Sequence, residues 1–69
     1  MVQLGRSRAV EAAGYDHASR RLRILFRHGG LYDYLEVPPN VHAGLISSPH
    51  PWTEYGAHIK STYECVRLS

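Results

Sequence analysis

The chain has 69 residues, 43% of them apolar and 20% charged, which suffices for one small domain and excludes a deep catalytic cleft of the usual size. Eight lysines and arginines against six acids give a formal charge of +2, a mildly basic balance. We therefore expect a domain that binds a partner on its surface, and we do not expect an enzyme.

The single cysteine, Cys65, excludes an internal disulfide and leaves too few thiols for a cysteine-rich zinc site. The five histidines lack the spacing of metal ligands, so we expect neither metal nor cofactor. The first ten residues contain no apolar signal core, and no stretch approaches the roughly 18 apolar residues of a membrane span. These features predict a cytoplasmic protein without a membrane segment.

The N-terminal part of the chain has little hydrophobic periodicity. Residues 1–7 are small, polar and basic, which predicts a flexible tail before a single domain over residues 8–69. A weak alternation over residues 8–15 predicts the first strand, and residues 16–19 carry the side chains typical of a turn.

The clearest strand pattern lies over residues 21–27, where apolar residues alternate with arginines as in a strand with one buried face. Gly29 and Gly30 can supply the positive φ angle of a hairpin turn. Residues 31–37 therefore predict a returning third strand.

Two prolines end this strand and begin a helix. Pro38 and Pro39 cannot donate to a strand ladder, and Pro39 suits the first position of a helix that we expect to end near Ser48. Val41 and Leu45 share one side of this helix and are predicted to be buried.

The last third of the chain predicts a second, short helix and a final strand. Pro51 begins the helix, and Trp52, Tyr55 and Ile59 have the spacing of one helical face. Residues 62–68 read as a strand, in which the lone cysteine is expected to be a small buried side chain. The order β-β-β-α-short α-β predicts an α+β fold, a small antiparallel sheet with helix packed on one face.

The length of the hairpin loop decides which face the tyrosines of this segment occupy. A two-residue loop places Tyr32 and Tyr34 on the outer face with the arginines, where bases could stack on them. A three-residue loop, residues 28–30, instead pairs Phe26 with Tyr32 and Ile24 with Tyr34 in the core. We favour the second register, because the first places Asp33 on the apolar face, where an unpaired carboxylate costs several kcal/mol.

The residues expected to face outward support two binding hypotheses. The first is weak binding of RNA, tRNA or another polyanion by an arginine-bearing sheet face, aided by the two tyrosines if they are exposed. Its candidate residues are Arg21, Arg23, Arg27, Tyr32 and Tyr34. No residue is predicted to be catalytic.

The second hypothesis is contact with another protein. Leu25, Leu31 and Leu35 fall on the outer face in the favoured register and form an apolar patch beside the arginines. Such a patch suits self-association or docking to a host enzyme.

Several short motifs occur in a characteristic order along the chain. They are Gly14-Tyr15-Asp16, Leu22-x-Ile24-x-Phe26, Gly29-Gly30, Tyr32-x-Tyr34, Val37-Pro38-Pro39, Leu45, and His58-Ile59-Lys60 before Tyr63. This ordered set resembles the KTSC domain, a short domain at the C-terminus of some lysyl-tRNA synthetases that also occurs as stand-alone bacterial proteins. The resemblance spans residues 8–68 and implies a domain of unknown function, with RNA binding suggested by the synthetase association and no catalytic residues to carry over.

Overall fold

A computed structural model describes all residues, 1–69, as one antiparallel sheet of five strands with two helices. The strands occur in the sheet in their sequence order, and the predicted α+β class is confirmed. The elements are β1 Val2–Gln3, β2 Val10–Asp16, β3 Arg21–Phe26, β4 Gly30–Tyr34, α1 Pro39–Ser47, α2 Pro51–Thr62 and β5 Cys65–Arg67.

Both helices pack on the same face of the sheet. The alternation in β3 directs Leu22 and Ile24 into the core, where they join Val41 and Leu45 of α1 and Ile59 of α2 in one buried cluster. This confirms the buried side predicted for α1. The opposite face of the sheet carries no helix and is called the open face below.

The hairpin confirms the predicted assignment of faces but not the predicted pairs. The loop has three residues, Arg27 to Gly29, and Gly30 adopts the positive φ of 98° as the first residue of β4. Tyr32 therefore pairs with Ile24, two residues from the partner expected, while Phe26 pairs with Gly30. Because a shift of two residues preserves side-chain parity, Tyr32 remains on the helix-covered face. Its ring contacts that of Phe26, with centroids 5.5 Å apart.

The predicted flexible tail at residues 1–7 is not what the structure shows. Val2 and Gln3 form strand β1, which pairs with Ala13 and Ala12 of β2, and the Leu4 side chain enters the core. A two-residue strand is too short to produce an alternating pattern in the sequence. It can be recognised only from its pairing with β2 in the folded structure.

Two further predictions need correction at the C-terminal end. Helix α2 has 12 residues and is the longer of the two helices, whereas a short segment was expected. Cys65 is exposed, because β5 lies at the edge of the sheet and all three of its residues are accessible to solvent. Neither helix has the length and apolar character needed to cross a membrane.

Candidate binding surfaces

An ion pair lies in the middle row of the open face. Arg23 of β3 sits directly opposite Asp33 of β4 and donates from Nε to Oδ1 at 2.8 Å and from Nη2 to Oδ2 at 3.1 Å. Arg21 adds a longer contact from Nη1 to Oδ2 at 3.4 Å. The arginine side chains are 47% and 48% exposed but the Asp33 side chain only 1%, so the guanidinium groups cover the carboxylate.

This pairing changes the electrostatics of the predicted arginine stripe. The hydrogen bonds from Arg23 lower the pKa of Asp33, although burial of the carboxylate opposes them, and the same bonds raise the pKa of Arg23. Asp16 lines the same depression as the two arginines, and Glu64 lines a neighbouring one beside Arg21. The open face therefore carries no excess of positive charge.

The apolar part of the open face is a row of leucines. Leu25 pairs with Leu31, and the ladder continues to Leu68, whose backbone N–H donates to the Leu31 carbonyl at 2.7 Å. Val66, opposite Asp33, and Leu68 are 42% and 39% exposed. Leu35 lies on the same face near Glu64. The patch expected from Leu25, Leu31 and Leu35 is thus found on the open face, extended by β5.

The two tyrosines lie on the helix-covered face, in different surroundings. Tyr34 is only 4% exposed, and this burial raises the pKa of its hydroxyl. Tyr32 is half-buried, and the Arg67 guanidinium lies 5.6 Å from its ring centroid. Of the pair, Tyr34 cannot serve as a stacking platform, whereas Tyr32 keeps an accessible part.

Arg27 points away from the other two predicted arginines. It lies in the hairpin loop, and its guanidinium donates to the Ser7 carbonyl at 3.0 Å and to the Leu4 carbonyl at 3.2 Å. Its backbone N–H also donates to the Ala9 carbonyl at 2.9 Å. Arg27 therefore holds the N-terminal loop, residues 5–9, against the hairpin.

The loop held by Arg27 forms a depression that the sequence pattern did not predict. Arg6, Arg8, His50, Trp52 and Thr53 line this depression, whose volume is about 620 Å³, between the N-terminal loop and the start of α2. Neither Arg6 nor Arg8 takes part in a salt bridge, since the two salt bridges of the chain both join Asp33 to β3. The Arg-Ser-Arg sequence at residues 6–8 was the available signal, but it spanned the predicted boundary between the tail and the first strand.

Arg6, Arg8, Arg27 and Arg67, together with Trp52 and Tyr32, define what we call the hairpin end. The Trp52 ring lies 5.2 Å from that of Phe26, which in turn contacts Tyr32 beneath Arg67. Cations and aromatic rings thus lie together at this end of the molecule, a combination suited to nucleic acids. No three histidine, cysteine, aspartate or glutamate side chains are grouped as metal ligands.

Comparison with known proteins gives one consistent relationship. The family model of the KTSC domain matches residues 6–63. A protein of Tsukamurella paurometabola is 37% identical over 62 residues, which cover 90% of this chain and 92% of that protein. The crystal structure of a KTSC domain protein of Yersinia pestis superposes with a TM-score of 0.89 at 30% identity, covering 97% of this chain and 93% of that one.

A larger enzyme contains a related segment. The lysine–tRNA ligase of Nostoc punctiforme is 28% identical over 60 residues, which cover 87% of this chain but only 11% of the ligase. The segment is therefore a small part of that enzyme. From the family match and the shared fold, this chain belongs to the KTSC domain family.

Proposed function

We propose that this KTSC domain is a non-catalytic module that binds RNA weakly through the hairpin end. The observation that carries the proposal is the depression in which Arg6 and Arg8, two cations without carboxylate partners, lie beside Trp52. Guanidinium groups bind phosphate oxygens in a planar, bidentate way, and an aromatic ring adds contact with a base. The relationship to a lysine–tRNA ligase, an enzyme whose name specifies tRNA, supports RNA among the possible polyanions.

This proposal changes the contribution expected from each predicted residue. Arg27 and Tyr32 belong to the hairpin end, Arg27 as the support of the N-terminal loop and Tyr32 as part of the aromatic row. Arg21 and Arg23 contribute less, because Asp33 already neutralises part of their charge. Tyr34 contributes to the core.

Fluorescence anisotropy with labelled tRNA and labelled single-stranded RNA tests the proposal. In the double variant Arg6→Gln/Arg8→Gln we expect affinity to fall about tenfold or more, because two charge-assisted phosphate contacts are lost. The matched control is Arg20→Gln/Lys60→Gln, which removes the same charge from exposed positions away from the hairpin end. Equal losses in both double variants, or no binding at low salt, would contradict the proposal.

A second candidate function is contact with another protein through the open face. It is favoured by the helix-free leucine row, Leu25, Leu31 and Leu68, around an ion pair whose charges balance. Apolar surface without excess charge is more typical of a protein contact than of a nucleic-acid contact. A second copy of the chain is the simplest partner for such a face.

Sedimentation velocity over a range of concentrations tests this second candidate. Self-association through the open face predicts a sedimentation coefficient that rises with concentration and no longer does so in Leu31→Lys, because the new charge would be buried in the contact. The matched control is Ala57→Lys, at an exposed position of α2 on the other side of the molecule. A wild-type protein that stays monomeric at all concentrations would rule out self-association.

A further inference from the structure

The N-terminal loop beside α2 is held in place by contacts that involve neither Arg6 nor Arg8. Ser7, between them, is buried, and its Oγ accepts a hydrogen bond from the Val10 N–H at 3.0 Å. The Ser7 N–H donates to the Leu4 carbonyl at 3.0 Å, and Arg27 binds the carbonyls of both residues. The backbone is thus fixed while the two guanidinium groups remain available, which lowers the entropy lost when a ligand binds.

Trp52 forms the wall of the depression opposite the loop. Its ring packs against Phe26 and lies over Gly56, where a Cβ atom would come within 2.8 Å of the indole. The absence of a side chain at Gly56 therefore lets the ring lie against α2 while part of it stays accessible to solvent. An aromatic ring held in this way loses little conformational entropy when it contacts a ligand.

The chemistry of the depression suits one nucleotide. Its volume of about 620 Å³ lies within the usual range of ligand sites, roughly 300–1,000 Å³. Arg6 and Arg8 offer donors for a phosphate, while His50 and Thr53 add polar groups near Trp52. Cations and an aromatic ring within one depression can contact a phosphate and its base together, provided that the base is not stacked within a duplex.

We infer that the module selects single-stranded nucleic acid, with one phosphate held by Arg6 and Arg8 and the adjoining base in contact with Trp52. This inference rests on the proposed function and specifies its ligand. In a duplex the bases are stacked and paired, so only the phosphates are accessible. A duplex can therefore contact Arg6 and Arg8 but not the Trp52 ring. The proposed ligand is an unpaired nucleotide, which single-stranded RNA and single-stranded DNA both provide.

The only tryptophan of the chain is Trp52, so its fluorescence reports on this site alone. Wild-type protein is titrated with a single-stranded RNA of about eight nucleotides, the DNA strand of the same sequence, the RNA duplex and heparin. We expect the single strands to quench Trp52 emission, and the duplex and heparin to leave it unchanged even where anisotropy or competition shows binding. The difference between the RNA and DNA strands identifies which nucleic acid is preferred.

Substitution of the ring provides an independent readout. We expect Trp52→Leu to weaken single-strand binding by roughly fivefold to a hundredfold while leaving duplex and heparin binding nearly unchanged. Trp52→Phe retains an aromatic ring and should recover most of the affinity. If Trp52→Leu does not fold, the emission of Trp52 in the wild type still tests the inference. Circular dichroism verifies the fold of each variant.

The outcomes separate this inference from the proposed function. RNA binding that depends on Arg6 and Arg8, but is equal for strand and duplex and leaves Trp52 emission unchanged, would overturn the inference and leave the proposed function standing. The absence of any RNA binding at low salt would overturn both.

Discussion

Asp33 is the charged residue on which the open face depends. Its carboxylate is almost inaccessible to water and accepts three hydrogen bonds from two arginines that are themselves half-exposed. A buried carboxylate needs partners, whereas a half-exposed guanidinium can return to water. The loss of a partner is therefore more costly for Asp33 than for either arginine.

We predict that Asp33→Asn lowers the free energy of unfolding by roughly 1.5–3 kcal/mol at neutral pH, since hydrogen bonds to a charged group are lost. The pKa of Asp33 is lowered in the folded state by Arg23, so its contribution is present above the unfolded pKa of about 3.9 and is lost as the pH falls through the folded value. Urea denaturation should show the difference between wild type and variant shrinking as the pH falls below about 3.9. A difference that stays constant as the pH falls below that value would contradict this assignment.

The two arginines that bind Asp33 differ in how much we expect each to stabilise the fold. Arg23→Ala should destabilise the fold more than Arg21→Ala, because Arg23 makes two of the three contacts and Arg21 only the longest one. The same denaturation measurements rank the two variants. Equal losses would mean that the contact is not bidentate in solution.

His42 is a second residue that makes stability depend on pH. The fold favours the neutral form of this side chain, whereas it favours the charged form of Asp33. Its ring stacks on that of Tyr15 with centroids 5.0 Å apart, and its buried Nε2 has no hydrogen-bond partner within the chain. Burial, together with the nearby His17, lowers the pKa of His42. The folded state therefore favours the neutral ring and loses stability as the pH falls from about 6.5 toward the lowered pKa.

We predict that His42→Phe reduces the loss of stability between about pH 7 and pH 5, because phenylalanine keeps the stack on Tyr15 and binds no proton. In the wild type, NMR titration of the His42 ring should give a midpoint below about 6.5. His28→Gln, at an exposed position in the hairpin loop, is the control. A midpoint at or above 6.5 would show that the ring is accessible to water in solution.

At the scale of the secondary-structure elements, the contact between helices α1 and α2 depends on Gly44. An alanine at Gly44 would place its Cβ against the Tyr55 hydroxyl and 2.8 Å from Tyr55 Cζ, so the ring of α2 would have to move. Gly44 thus costs α1 some helix propensity and in return allows the two helices to approach closely.

We predict that Gly44→Ala destabilises the fold by about 1–3 kcal/mol, the usual cost of overpacking, although in a solvent-exposed helix the same change stabilises by about 1 kcal/mol. In a Tyr55→Ala background the sign should reverse, since the obstructing ring is gone. Thermal or urea denaturation of the four proteins of this double-mutant cycle measures the coupling. Additive effects would show that the two side chains do not meet.

At the level of the whole molecule, charge and apolar surface are divided between two regions. The open face balances its arginines with carboxylates, whereas the hairpin end gathers arginines without salt-bridge partners. The arginines of the hairpin end thus form a locally basic region in a domain whose formal charge is only +2.

This distribution predicts a shallow salt dependence. One phosphate, held by Arg6 and Arg8 together, should give a slope of about −0.7 for the logarithm of RNA affinity against the logarithm of salt concentration. The slope should approach zero in Arg6→Gln/Arg8→Gln and remain in Arg20→Gln/Lys60→Gln. Anisotropy between about 50 and 200 mM salt measures it. A slope that is unchanged by the Arg6/Arg8 substitutions would place the contacts elsewhere.

The sequence by itself determined the features that depend on local patterns. Alternation defined β3, glycines located the hairpin, prolines marked the start of both helices, and Asp33 selected the face on which the tyrosines lie. Each of these follows from the φ/ψ preferences of a few neighbouring residues or from the cost of burying one carboxylate.

Only the tertiary structure decided the features that join distant parts of the chain. Strand β1 exists because β2 offers it a ladder, and Cys65 is exposed because β5 lies at an edge. Arg6 and Arg8 meet Trp52, more than forty residues away, because Arg27 ties the N-terminal loop to the hairpin. No periodic pattern in the sequence predicts such a contact, because the contact forms only when the folded sheet and helices bring distant segments together.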